Sequence, residues 1–305
     1  MMSRETIKGP DGNPLEVYET GRADGPALIL SNGLGGNIIA WRHFVRFFET
    51  DFRIISWDYR GLYKSGPAPE GSNYSIPKHC EDLRAVLSHK GVTKPILVGW
   101  SMGVQVNLEF LRQDPEGALA MIAINGTYGR PFTTAFHTDA LEGLAPSFFD
   151  LLKGHWEKLS WVRPYVRQET IVRLFARALQ TLGIAGHHLD MNVFVDLADE
   201  WVDHDIGIYA EIFDELARHD AGDLLSEIQI PTLLIAGERD RFTPAACSEH
   251  MLREIPDAEL LEVEASTHFT PIEFPDLVQM RTRKFLQSRQ LYPTPQLSQK
   301  ASEAS

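Results

Sequence analysis

Short apolar runs alternate with amphipathic stretches along most of this chain. Thr6-Ile7-Lys8 and Leu15-Glu16-Val17-Tyr18 flank Gly9-Pro10-Asp11-Gly12-Asn13, a turn-forming cluster that predicts a β-hairpin. Residues 27–30, 52–57, 95–98 and 119–124 are nearly continuous apolar runs, the pattern of strands buried on both faces. Residues 104–111 read as a helix following the third of these runs. From about residue 126 to 205 the strand signal vanishes, and residues 169–179 are helical in pattern. Ile208, Ile212 and Leu216 are again at helical spacing. Strand character returns at Ile230, with runs at 231–237 and 259–264 on either side of a helix-like stretch at 247–255. The expected architecture is α/β: a mainly parallel sheet with helices on both faces, interrupted by an all-helical insertion. Residues 1–125 and 206–291 would form the core, 126–205 a cap, and the polar residues 292–305 a loose tail.

Gly99-Trp100-Ser101-Met102-Gly103 lies between a predicted strand and a predicted helix. In that context G-x-S-x-G is a nucleophile elbow: the turn is so tight that Gly99 and Gly103 have no room for side chains, and the Ser101 hydroxyl is left exposed. A serine becomes nucleophilic only with a base to take its proton and a group to orient that base. Asp240 follows the run at 231–237 and His268 follows the run at 259–264, so both fall at the sheet edge that carries Ser101. Ser, Asp, His is also the chain order of this constellation on a doubly covered parallel sheet. Glu238 is a competing acid, though closer to the strand end, and Asn125 ends the intervening strand but cannot carry the charge. The run at 27–30 leads into Ser31-Asn32-Gly33-Leu34-Gly35-Gly36-Asn37. Backbone N–H groups of Leu34 and Met102 would then make an oxyanion hole. Neither of the glycine-rich phosphate-binding patterns is present.

Across residues 4 to 291 these features resemble the α/β-hydrolase fold superfamily, serine hydrolases of the esterase and lipase kind with a helical cap. Asp58-Tyr59-Arg60-Gly61-Leu62-Tyr63-Lys64-Ser65-Gly66 is similar to the D-x-R-G-x-G-x-S loop that many members carry before the elbow. There are two departures: the oxyanion loop begins Asn32-Gly33 rather than His-Gly, and Tyr63 stands where the second glycine of the loop is usual. The resemblance implies Ser101 as nucleophile, His268 as base, Asp240 as its orienting acid, and no cofactor or metal.

Composition narrows the reading further. With 43% of its 305 residues apolar, the chain can bury a large core. The formal net charge of −13 lacks the basic footprint of a nucleic-acid binder. Residues 190–223 are strongly acidic and residues 153–177 basic, which predicts mutual attraction between two segments of the insertion. His187, His188 and Asp190, or the acids at 199–205, form no convincing metal set. No apolar run is long enough to span a membrane, no secretory leader is visible, and Cys80 and Cys247 have no redox spacing. A cytoplasmic enzyme is expected, with its oligomeric state open.

The expected chemistry is hydrolysis of a carboxylic ester through an acyl-enzyme. Carbon–carbon bond hydrolysis, amide hydrolysis, perhydrolysis or acyl transfer to alcohols are alternatives on the same residues, and a non-catalytic receptor is a second class. Phe132, Phe136, Phe148, Phe149, Trp156, Trp161, Phe175, Phe194 and Trp201 make the insertion aromatic-rich, which predicts a mostly apolar acyl site.

Overall fold

The computed structural model describes residues 2–131 and 167–293. The hairpin forms as expected from β1 (Ser3–Lys8) and β2 (Pro14–Gly21), paired antiparallel. Its turn closes with Gly9 N–H donating to the Asn13 carbonyl at 2.7 Å, and Gly12 takes a φ of +91° that a side chain would resist. The remaining strands are β3 (Ala27–Ser31), β4 (Arg53–Trp57), β5 (Ile96–Trp100), β6 (Ala120–Ile124), β7 (Thr232–Gly237) and β8 (Ala258–Val263). The sheet runs β1-β2-β4-β3-β5-β6-β7-β8, antiparallel as far as β4 and parallel from there on. Strands β5, β6 and β7 are buried at every position, which is why their sequences are apolar runs and not alternating ones. The outer strands β1 and β8 carry charges such as Arg4, Glu5 and Glu262, which discourage pairing with another chain.

Helices cover both faces. On one side α2 (Ile76–His89), α3 (Met102–Gln113), α6 (Ile206–Arg218) and α7 (Ala245–Glu254) bury Leu83, Val106, Ile212 and Met251 against Ile29, Ile55 and Leu97. On the other, α1 (Arg42–Phe48) and α8 (Pro275–Ser288) bury Phe44, Phe48 and Phe285 against Leu28, Ile54 and Val98. That second core also takes in Ala176 from α4 (Glu169–Thr181) and Val193 and Leu197 from α5 (Met191–Trp201).

The chain leaves β3 for β4 on one side and crosses back to β5 on the other. A parallel sheet opens a crevice at the carboxyl ends of its strands where the winding reverses in this way. The loops after β3 and β5, one glycine-rich and the other carrying Ser101, therefore face each other. The loop after β4 is fixed by Arg60, whose fully buried guanidinium bonds both carboxylate oxygens of Asp82 at 2.8 and 2.7 Å and Asp11 at 2.9 Å. Arg60 thus ties that loop to α2 and to the hairpin.

Between β6 and β7 the described residues are helical and add no strand to the sheet. Residues 132–166 of the expected insertion and 294–305 of the expected tail lie outside the described residues. Two acids of the acidic stretch prove to be helix caps: Asp190 accepts from the N–H groups of Asn192 and Val193, and Asp205 from that of Gly207. Asp190 also meets His43 Nε2 at 2.8 Å, and Asp196 pairs with Arg42, joining α5 to α1. From the basic stretch, Arg167 pairs with Asp203 and lies 3.7 Å from Asp199, whereas the bases at 153, 158 and 163 lie outside the described residues. Cys80 and Cys247 are buried and not joined in a disulfide. No helix among the described residues is long and apolar enough to cross a membrane.

Among the described glycines the closest approach to another stretch of backbone is that of α3 to β3: a Cβ on Gly103 would stand 2.1 Å from the Ser31 carbonyl oxygen. Gly103→Ala must push the helix off the strand, and we expect a stability loss of at least about 2 kcal/mol. Chemical denaturation measures it, and a variant as stable as the parent would contradict this packing.

Candidate active site

The site grows from the end of β5. Trp100 is its last residue and Met102 the first of α3, so Ser101 alone makes the turn, at φ +55° and ψ −118°. A non-glycine residue rarely adopts such a backbone, and it holds here because both sides of the turn are packed. A Cβ on Gly99 would lie 2.7 Å from the Gly103 carbonyl group, so neither flanking glycine can carry a side chain without a shift. Ser101 N–H donates to Ile124 O on β6 at 3.0 Å, which anchors the turn to the neighbouring strand. The turn also sets Ser101 over the N-terminus of α3, where partial positive charge collects.

Ser101, His268 and Asp240 come together. His268 Nε2 lies 2.8 Å from Ser101 Oγ, and His268 Nδ1 lies 2.8 Å from Asp240 Oδ2. The network assigns the proton on Nδ1 to the bond with Asp240, which leaves Nε2 free to accept from the serine hydroxyl. Trp100 Nε1 donates to the His268 carbonyl at 2.9 Å and so links the imidazole loop to the elbow.

Asp240 is buried, with 4% exposure. Its Oδ1 accepts from the N–H groups of Phe242 and Thr243 at 2.8 and 2.9 Å. Its Oδ2 accepts from Asn125 Nδ2 at 2.6 Å and Thr243 Oγ1 at 2.7 Å as well as from His268. Burial alone would raise the carboxyl, but His268 and these donors outweigh it and hold Asp240 below the ordinary carboxylate value. Glu238, the competing acid, is turned away: it is exposed and accepts from Ala265 N–H at 2.7 Å.

The loop after β3 completes the geometry. Gly36 N–H bonds Gly33 O at 2.9 Å and Gly35 takes φ +80°, the signature of a type II turn across Gly33-Leu34-Gly35-Gly36. The turn lies against the elbow, since a Cβ on Gly33 would be 3.3 Å from Ser101 Cβ. Among the described residues, the N–H groups of Leu34 and Met102 donate to no protein acceptor. Asn32 compensates for the absent histidine by becoming a buried anchor. Its Nδ2 donates to Trp57 O at 2.7 Å, its Oδ1 accepts from Trp41 Nε1 at 2.9 Å, and its carbonyl accepts from Tyr59 OH at 2.7 Å.

Three supporting residues escaped the sequence reading. Asn125, considered there only as an uncharged substitute for the acid, is a donor to Asp240 and also to Thr267 O at 2.9 Å. Thr243 Oγ1 lies between two acceptors, Asp240 Oδ2 and the Asn125 carbonyl at 2.8 Å, and shares its one hydrogen between them. Glu273 accepts from Thr267 N–H at 2.8 Å and from Gly186 N–H at 2.6 Å, which joins the segment before His268 to the insertion. The only signal in the sequence was position, Asn125 at a strand end and Glu273 soon after His268. Among the described residues no three His, Cys, Asp or Glu side chains gather as metal ligands. His188 instead packs on Phe274, with ring centroids 4.9 Å apart.

A family model described as alpha/beta hydrolase fold matches residues 26–275. The chain is similar to 3-oxoadipate enol-lactonase 2 of Acinetobacter baylyi, with 28% identity over 86% of this chain and 88% of that protein. It is also similar to a putative carbamate hydrolase RutD of Pseudomonas syringae pv. syringae, with 26% identity over 90% and 98%. Among solved structures, a thermophilic esterase from Thermogutta terrifontis superposes with a TM-score of 0.71, at 22% identity over 94% of this chain and 99% of that one. At that identity the likeness speaks for the fold.

If Asp240 orients the base, Asp240→Asn should lower kcat by about 10³–10⁴-fold, because the amide favours the wrong imidazole tautomer. Glu238→Gln should change it by less than about threefold. Steady-state kinetics on both variants decide, and the reverse ranking would move the acid to Glu238.

Proposed function

The chain belongs to the alpha/beta hydrolase fold family, and on that premise we propose that it is a serine hydrolase cleaving carboxylic esters of apolar acyl groups through an acyl-enzyme. The observation that carries this reading is the unbroken hydrogen-bond line from Asp240 through His268 to Ser101, with both links at 2.8 Å. Ser101 Oγ attacks the ester carbonyl as His268 Nε2 takes its proton. The oxygen of the tetrahedral intermediate receives the N–H groups of Leu34 and Met102. His268 returns the proton to the departing alcohol, and Asp240 stabilises the imidazolium between the two transfers. Water then enters, loses a proton to His268, and releases the acid, restoring Ser101. No step calls for a cofactor or metal.

Two of the relatives fit the acyl-transfer class: a lactonase opens a cyclic ester, and the substrate in the name of the putative carbamate hydrolase has a carbonyl bonded to both nitrogen and oxygen. Residues 126–205 act in this reading as the cap that shapes the acyl site. Trp201 supports it, since its Nε1 lies 3.4 Å from the Cβ position of Gly35 in the oxyanion turn. Phe194 packs near Phe269, with centroids 6.2 Å apart. Phe175 is 58% exposed on α4. Phe132, Phe136, Phe148, Phe149, Trp156 and Trp161 lie outside the described residues. The buried thiols Cys80 and Cys247 fit a reducing, cytoplasmic setting.

Ser101→Ala should lower kcat for p-nitrophenyl esters by about 10⁴-fold or more while the denaturation midpoint holds, since chemistry and not packing is lost. Retention of most activity would remove Ser101 from the mechanism. An apolar acyl site also sets a chain-length profile. Each buried CH₂ contributes ~0.8 kcal/mol at most, so kcat/KM should rise up to about 10²-fold from acetate to hexanoate and fall beyond about C8. A profile declining from acetate onward would point to small-acyl or perhydrolase chemistry.

A further inference from the structure

Tyr63 occupies the position where related loops carry glycine, and it does so at φ +52°, a left-handed conformation that glycine would adopt without strain. Three contacts hold it there. Its backbone N–H donates to His204 Nε2 at 2.9 Å, its ring stands edge-on to the His204 ring with centroids 4.2 Å apart, and its hydroxyl donates to Gly35 O at 2.5 Å. Burial raises the phenol well above its ordinary value, so the hydroxyl remains a donor. His204 is itself fixed, because it is 6% exposed and its Nδ1 meets Trp201 O, at the end of α5, at 2.7 Å. With Nδ1–H donating to that carbonyl, Nε2 is the free acceptor for Tyr63 N–H.

Gly35 is the third residue of the turn that carries Leu34, and the turn contains three glycines in four residues. Such a segment has the greatest backbone freedom a chain can have, whereas an oxyanion donor acts only when it is already in place. Asn32 anchors one end of the turn and Tyr63 OH the other. We propose that Tyr63 is a positioning residue that sets the oxyanion turn, and that His204 latches it to the helical insertion, so that the insertion holds the oxyanion donor in register with Ser101. The proposal rests on the serine-hydrolase reading and on Leu34 N–H as an oxyanion donor.

The test uses the full chain and p-nitrophenyl butyrate. Tyr63→Phe removes only the hydroxyl bond, and we expect kcat to fall about tenfold or more, with KM within about twofold and an unchanged denaturation midpoint. A trifluoromethyl ketone, which forms a tetrahedral adduct on an activated serine, should bind more weakly by the same factor as kcat/KM falls. A merely structural role would reduce the number of active sites and leave the affinity of the survivors unchanged, which would overturn the proposal. So would a Tyr63→Phe variant with kcat within twofold of the parent. His204→Gln, whose amide oxygen can still accept from Tyr63 N–H, should keep more activity than His204→Ala, and equal losses would remove the latch. If the parent protein neither hydrolyses the ester nor binds the ketone, the serine-hydrolase reading falls and this proposal with it. A parent active in both, beside an unaltered Tyr63→Phe, refutes the proposal alone.

Discussion

The close approach of α3 to β3 governs the site. Because Gly103 has no side chain, the first turn of the helix rests on the Ser31 carbonyl, and because Gly99 has none, the strand can pass beneath it. Only with both contacts made is Ser101 held at φ +55°, at the crevice where the winding of the sheet reverses. The same packing brings the turn of Gly33 and Leu34 against Ser101 and Trp100. Ser101 and the turn of Gly33 and Leu34 are therefore packed against each other.

A second constraint acts on the far side of the imidazole. Asp240 is taken out of water, which disfavours its charge, yet five donors converge on its two oxygens: two backbone N–H groups, Asn125, Thr243 and His268. The donors win, and the carboxyl stays below its ordinary value. A buried carboxylate kept charged in this way can orient an imidazole and stabilise the imidazolium without itself taking the proton. Asn125 and Thr267 extend the network to β6 and to the segment before His268, so Asp240 and His268 share their supports.

Much of this was legible in the residues because it depends on local pattern. The strands were readable as apolar runs since both faces of β5, β6 and β7 are covered. Ser101, Asp240 and His268 were readable because in a parallel sheet every strand ends at the same edge, so position relative to a strand stands in for position in space. What the pattern could not carry was side-chain direction across long separations. Asn125 meets Asp240 across 115 residues, and whether an amide at a strand end faces a carboxylate or solvent depends on loops that no local rule specifies. Tyr63 stands in the sequence only as a departure from the usual glycine, and its bond to His204, 141 residues away, is beyond any local rule. The aromatic count of the insertion was equally blind to burial: Phe175 is exposed, whereas Phe194 packs near Phe269.

The central claim is that Ser101 is an activated nucleophile, and covalent labelling tests it most directly. The full chain is incubated with a fluorophosphonate at neutral pH and the modified residue is located by peptide mass spectrometry. The account predicts one adduct per chain, on the peptide containing Ser101, and none after denaturation, when the bonds to His268 and Asp240 are lost. An unmodified Ser101 in the folded protein, or an adduct confined to another residue, would contradict it.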